Sequence, residues 1–272
     1  MSHPRSGTHF LINSILSSNN IFFFPKVRPS FLSLENLMLS HDKDVLNEWE
    51  KNINLNRKNK KILIFKTHCS YEEIIYFIKN ESVFKKEATL IKNIIKNSLI
   101  IYIKRNVYDT LRSWYFFCKS DNIVSVNSSS TRHKNLTFSD FLKLKNLHKI
   151  NNLKFNLYDE NVIKYLKYHH NSCKKINLNI FEIEYEKLKY DYKNTMIKLI
   201  QYLIKYKLKN ISHNMADYNL KQPTPSKFNF LRKIKILNFL FMIKKNDEVF
   251  NKTNYELNIS KKDKLFISKN YY

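Results

Sequence analysis

Pro4-Arg5-Ser6-Gly7-Thr8-His9-Phe10-Leu11 stands near the start of the chain and holds its only glycine in 272 residues. Ordinary usage of ~7% would give roughly 19 in a chain of this length. Glycine lacks Cβ, so it reaches φ > 0 and lets a ligand come close to the backbone. Phe10, Leu11, Ile15 and Leu16 recur near helical spacing, which predicts a helix over 9–17. A basic residue, a small-residue turn and a helix start together make an anion cradle. The first-turn N–H groups lack intrahelical acceptors and the helix dipole favours negative charge. An ordinary turn ahead of a helix is the alternative reading of this loop taken by itself.

Two continuous apolar runs lie downstream. Ile62-Leu63-Ile64-Phe65 and Leu99-Ile100-Ile101-Tyr102-Ile103 have strand length and β-branched character, as buried parallel strands do. Asn179–Tyr185 reads as a third strand, more alternating than the first two. Helices are expected at Tyr71–Lys79, Glu87–Lys96, Asp109–Phe117, Phe138–Leu147, Glu160–Lys175 and Tyr192–Tyr206. Val45–Glu50 reads as a helical turn, while Asn52–Lys61 and Asn122–Asn135 read as polar loops. Strand followed by helix, repeated, implies a parallel α/β sheet with helices on both faces. No internal repeat or linker interrupts it, so residues 1–272 are expected to form one domain.

The formal net charge is +25, from 48 Lys+Arg against 23 Asp+Glu. The lysines are spread along the whole chain in company with Asn, Ile, Tyr and Phe, the mark of a biased coding repertoire as much as of an anionic partner. Hydrophobic content of 43% excludes wholesale disorder. Cys69, Cys118 and Cys173 form neither a disulfide framework nor a zinc knuckle, which points to a reducing, cytoplasmic setting. No apolar run approaches the ~18 residues of a membrane span.

Three segments at strand ends could carry chemistry: the Pro4–Phe10 loop, Lys66-Thr67-His68-Cys69, and Lys104–Ser113. In open α/β sheets ligands bind outside the carboxyl ends of strands, so separate segments placed there converge. His68 follows a strand behind Lys66. A nearby cation disfavours imidazolium, and a neutral imidazole can take a proton from a hydroxyl. A loop histidine satisfied by its neighbours is the alternative. Arg105 and Ser113 lie eight residues apart, a planar fork and a hydroxyl suited to a phosphate. A surface ion pair with Asp109 and a solvated serine would explain them equally.

Taken in order, these segments resemble the sulfotransferase family that uses 3′-phosphoadenosine 5′-phosphosulfate (PAPS). That family carries a motif close to Tyr-Pro-Lys/Arg-Ser-Gly-Thr-Thr/His-Trp/Phe, to which Pro4–Phe10 correspond. It carries Lys-Thr-His after a strand, matched by Lys66–His68, and a strand leading to Arg-Asn, Asp and Ser, matched by Arg105-Asn106, Asp109 and Ser113. A later strand ending in Tyr-Glu corresponds to Phe181–Glu186, and a Phe-Met/Leu-Arg-Lys segment to Phe230–Lys233. The resemblance covers residues 4 to about 233, and 234–272 would be a tail.

The resemblance implies a P-loop-like three-layer α/β/α fold and roles for these residues. Arg5, with the backbone of Ser6, Gly7 and Thr8, would hold the 5′-phosphosulfate and steady charge on the leaving phosphate oxygen, and His9 would also be among the residues that bind the co-substrate. Lys66 would lie beside the transferring group and His68 would be the general base. Arg105 and Ser113 would grip the 3′-phosphate, with Arg232 and Lys233 closing over it. Phe10 and Tyr185 would contact the adenine. No metal is implied. The acceptor would be a small molecule, glycan or lipid bearing a hydroxyl or amine, and no nucleic-acid partner is implied. Ile234 stands where the family has glycine, and a strand that normally holds the phosphate loop has no room ahead of Pro4, which suggests a shortened N-terminus.

Other classes fit less of the chain. An ATP-using P-loop enzyme wants Gly-x-x-x-x-Gly-Lys-Ser/Thr, which one glycine cannot supply. A basic nucleic-acid-binding or membrane-surface protein would account for the charge but not for the ordered motifs. An inactive relative of the sulfotransferases would keep the motifs without the transfer.

Overall fold

Strands β3 (Ile100–Lys104) and β4 (Ile180–Glu184) pair in parallel, with Ile100 opposite Ile180 and Lys104 opposite Glu184. A second parallel pair joins β1 (Phe22–Phe23) to β2 (Ile62–Leu63). The computed structural model describes residues 1, 6–18, 22–23, 34–39, 43–59, 61–79, 85–119, 136–145, 160–176, 180–206, 212–222 and 257–272. Within them, helices dominate. The described strands form two separate two-stranded parallel sheets, where one continuous sheet was expected.

The helices are α1 (Thr8–Ser18), α2 (Leu34–Leu39), α3 (Lys43–Lys58), α4 (Tyr71–Lys79), α5 (Lys85–Lys96), α6 (Val107–Lys119), α7 (Phe138–Lys143), α8 (Val162–Lys174), α9 (Tyr185–Tyr190), α10 (Tyr192–Lys205) and α11 (Lys261–Tyr271). The chain divides into two compact units. One comprises Met1–Asn106, Ile150–Phe155 and Tyr168–Gln222; the other comprises Val107–Lys149, Asn156–Lys167 and Pro223–Tyr272.

In the first unit, β3 is apolar on both faces. Ile103 packs with Ile183, with Leu11 and Ile15 of α1, and with Met196, Leu199, Ile200 and Leu203 of α10. Those four α10 residues recur at helical spacing and form one buried stripe. Ile100 and Tyr102 pack on the other side with Cys173 and Ile176. Met1 lies beside β3. Its α-ammonium donates to Ile101 O at 2.6 Å, and Ile103 N–H donates to Met1 O at 3.2 Å. Those two bonds are the pair that a parallel ladder makes around one residue, here with Met1 opposite Tyr102.

Helix α3 corrects the reading of Asn52–Lys61 as a loop. Val45, Leu46, Trp49 and Asn52 are buried along one side, and the Asn52 amide donates to Glu48 O at 2.7 Å. Trp49 stacks on Phe65, with centroids 5.1 Å apart. Of the polar residues that suggested a loop, Asn54, Arg57 and Lys58 lie on the exposed side of the helix, while Asn52 turns inward. Among the described residues, Ile62 and Leu63 are the part of the apolar run with ladder partners, and they form β2. Helix α4 begins with a reciprocal cap: Glu73 N–H donates to Ser70 Oγ and Ser70 N–H to the Glu73 carboxylate.

The second unit is built around aromatic side chains. Trp114 and Tyr115 of α6 meet Phe141 of α7 edge-on, and Tyr165 of α8 meets Trp114 likewise. Ile267 of α11 is fully buried in the same cluster. Thr137 caps α7 and Ser260 caps α11 through the N–H groups of Asp140 and Asp263. The expected helix over Phe138–Leu147 ends at Lys143, because Leu144 adopts an extended backbone. Among the described residues no helix is long and apolar enough to cross a membrane.

Candidate functional site

Gly7 adopts φ +97°, so its conformation requires the residue the sequence supplies there. It leads directly into α1, whose first full turn closes with Leu11 N–H on Gly7 O at 3.1 Å. Ser6 is fully buried, and its Oγ lies 3.4 Å from Thr8 Oγ1. A Cβ built on Gly7 would lie 2.5 Å from Cε2 and 3.2 Å from Cγ of Tyr185. The glycine is therefore required twice, once by its backbone and once by the tyrosine ring against it.

The register of β3 and β4 explains why that ring is there. Lys104 and Glu184 are the last pair, so the next residues, Arg105 and Tyr185, leave the same C-terminal edge together. The Arg105 guanidinium carbon stands 4.7 Å from the Tyr185 ring centroid, a cation–π arrangement. Phe10 of α1 meets Tyr185 edge-on with centroids 6.1 Å apart. One residue further on, Asn106 N–H donates to Glu186 Oε1 at 3.1 Å and ties the two turns together. Gly7, Phe10, Arg105 and Tyr185, from three distant segments, thus form one cluster.

Lys66 reaches the same helix start from the end of the β2 run. Its Nζ lies 3.3 Å from His9 Nε2. An ammonium only donates, so this contact is a hydrogen bond in the His9 tautomer whose lone pair is on Nε2. Lys104, at the β3 end, is held by Glu182 at 2.7 Å and lies 3.8 Å from Glu184. The Glu182 hydrogen bond holds the Lys104 ammonium above its usual pKa. Glu184 is itself bonded by Lys187 at 2.9 Å, which holds its carboxyl below the usual range. Glu182 and Glu184 are thus each matched by a lysine.

His68 is half-buried, and its backbone is clamped from two sides. Glu35 of α2, itself buried, accepts on one oxygen from Thr67 Oγ1 at 3.1 Å, from Cys69 N–H at 2.9 Å and from His68 N–H. From the other side, fully buried His169 of α8 meets His68 O through Nε2 at 3.0 Å. Burial pushes the neighbouring Cys69 thiol well up, and the carboxylates of Glu35 and Glu73 add to it. Cys173, 4.0 Å from His169 Nδ1, is pushed up by burial to about 12. Both thiols stay protonated and inert near neutral pH.

The sequence did not mark Glu35 or His169. The signal for Glu35 was a single acid within the apolar stretch Leu34–Leu39. An acid on the inward side of a short helix needs donors, and the Thr67–Cys69 backbone supplies them. Ser113 lies half-buried on α6 in the second unit. Asp109, the alternative ion-pair partner for Arg105, is bonded by Arg112 at 2.8 Å. Arg5, Arg232 and Lys233 lie outside the described residues.

Comparisons with protein-family models, curated proteins and solved structures find no match. The chemistry of the site therefore stands on its own geometry. One end of the first unit gathers a glycine-led helix start, a guanidinium on a tyrosine face and an ammonium, while His68, two residues beyond that lysine, is held by its backbone. Helix-start N–H groups, Arg and Lys are all donors to anions. The aromatic faces of Phe10 and Tyr185 suit a flat ring beside that anion.

Proposed function

We propose that the first unit binds PAPS and that the protein transfers its sulfuryl group to a hydroxyl or amine of an acceptor. The observation that supports this best is the meeting of Gly7, Phe10, Arg105 and Tyr185 beyond the paired ends of β3 and β4. Each is a residue for which the family resemblance implied a place in the nucleotide site. The donor set also fits a ligand with two anionic ends and a flat base between them.

In this reading the fold is the P-loop-like three-layer α/β/α class. The N–H groups of Gly7, Thr8 and His9, with Arg5, hold the 5′ end. Arg105 binds the 3′-phosphate. Phe10 and Tyr185 flank the adenine. Bound PAPS supplies a sulfuryl group on a phosphate leaving group. Arg5 steadies the charge that develops there, and Lys66 lies beside the transferring group. His68 takes the acceptor's proton on an imidazole nitrogen, and the Glu35 and His169 clamps hold its backbone in place for that step. The site requires no covalent intermediate on the protein.

Titration calorimetry tests the reading. Adenosine 3′,5′-bisphosphate should bind at least ~10-fold more tightly than adenosine 5′-monophosphate, since an added charge-assisted hydrogen bond is worth about 1.5–3 kcal/mol. Equal affinities, or no binding of either, would refute it.

A further inference from the structure

The described residues of the first unit line a cavity of about 450 Å³, within the ~300–1,000 Å³ range of small-molecule sites. Most of its wall is aliphatic, from Leu11 and Ile15 of α1, Ile62 and Ile64 of the β2 run, Ile101 of β3 and Leu203 of α10. Such a wall holds water poorly, because a buried water needs two to four polar partners. It favours an apolar occupant.

One polar atom interrupts the wall. Asn56, in the last turn of α3, lines the cavity, and its Oδ1 is buried with no hydrogen-bond partner among the described residues. Buried acceptors normally have a donor. The Asn56 backbone carbonyl is already satisfied, by Lys61 N–H at 3.2 Å, so the need lies in the side chain. Two other polar residues of the lining donate to carbonyls of α5: the Asn97 amide to Asn93 O at 2.8 Å and the Ser98 hydroxyl to Ile94 O. Of the cations in the lining, Arg57 is exposed and Lys66 is engaged with His9. The group that calls for a partner is therefore neutral, and a neutral donor answers it.

We propose that this cavity binds an aliphatic alcohol, with its alkyl body among the leucines and isoleucines and its hydroxyl on the Asn56 side-chain amide. A hydroxyl both donates and accepts, so it satisfies that amide in either orientation of its oxygen and nitrogen. A carboxylate only accepts and would leave Oδ1 unpaired. This hydroxyl is not one that an acceptor would present to His68. Asn56 stands before β2, whereas His68 follows the run Ile62–Thr67 and is not among the residues that line the cavity. The alcohol site is thus independent of the sulfotransferase reading.

The full chain titrated with 1-butanol, 1-hexanol and 1-octanol, followed by the NMR shifts of its isoleucine methyls, provides the test. Each step of two methylenes should tighten binding by about 15-fold, the worth of two buried methylenes. The shifts should fall on Ile15, Ile64 and Ile101 and spare Ile267 in the second unit. Methyl heptyl ether, an isomer of 1-octanol without the hydroxyl, tests the head group. The unmodified chain should prefer 1-octanol about 3–10-fold, the worth of one hydrogen bond. Asn56→Leu should lose that preference while still binding the ether. No saturable binding, affinity that fails to rise with chain length, or shifts outside the cavity would overturn the site. Equal affinity for alcohol and ether in the unmodified chain, or a preference that survives Asn56→Leu, would overturn the role of Asn56. So would tighter binding of octanoate than of 1-octanol, since Arg57 would then hold the head. If Asn56→Leu does not fold, the alcohol–ether comparison in the unmodified chain decides.

Discussion

Replacing Gly7 with alanine tests the cluster at its tightest point. Two costs combine. At φ +97° an L-residue is strained, by roughly 1–2 kcal/mol for a left-handed backbone. The new methyl would also sit 2.5 Å from Tyr185 Cε2, so the ring must move. Tyr185 cannot move freely, because Arg105 covers its face at 4.7 Å and Phe10 meets it at 6.1 Å. Overpacking of that kind costs about 1–3 kcal/mol. Gly7→Ala should therefore destabilise the protein by about 2–5 kcal/mol. That corresponds to a fall in the thermal midpoint on the order of 10 °C. A double-mutant cycle separates the two causes. In a Tyr185→Ala background the steric cost vanishes and only the backbone cost remains, leaving a coupling energy of about 1–3 kcal/mol in urea unfolding. The same loss in both backgrounds would show that the ring contact is not what requires glycine here.

Other perturbations probe other parts of the site. Arg105→Ala should weaken adenosine 3′,5′-bisphosphate about 10–100-fold while leaving the 5′-monophosphate little changed; equal losses in calorimetry would sink the 3′-phosphate role. Glu35→Ala removes the acceptor shared by Thr67, His68 and Cys69 and should cost about 3 kcal/mol in urea unfolding, with Glu35→Gln recovering part of it. No difference between Ala and Gln would mean those bonds contribute nothing. Burial pushes the Glu72 carboxyl up, but hydrogen bonds from Lys175 and Tyr168 outweigh it and leave the pKa below the usual value. A folded pKa below the unfolded one gives stability that is present above the unfolded carboxylate range and lost as pH falls through the lowered value. Lys175→Met should therefore flatten the acid limb of a stability–pH profile; an unchanged limb would assign the acid dependence to other groups.

Much of the first unit was legible in the chain. β3 and β4 fall within a residue of the runs that predict them, and α4 coincides with its expected span, because continuous apolar runs and helical periodicity are local signals. α3 was only half legible, since a polar outer face looks like a loop until the buried Trp49 and Asn52 reveal its inner one. The clamp on His68 was not legible at all. Glu35 and His169 are remote from it in sequence, and no spacing rule links a carboxylate on one helix to backbone donors after a distant strand.

Gly7 shows the division most clearly. The sequence alone determined that a turn with unusual backbone freedom precedes α1, because only one residue in the chain lacks Cβ. Tertiary structure decided what that freedom serves. The parallel register of β3 and β4 brings Arg105 and Tyr185 off the same edge, and the ring then takes the space where a Gly7 side chain would be. Local chemistry sets which conformations a segment can adopt. Which side chains meet depends on strand pairing and packing between segments that the sequence keeps far apart.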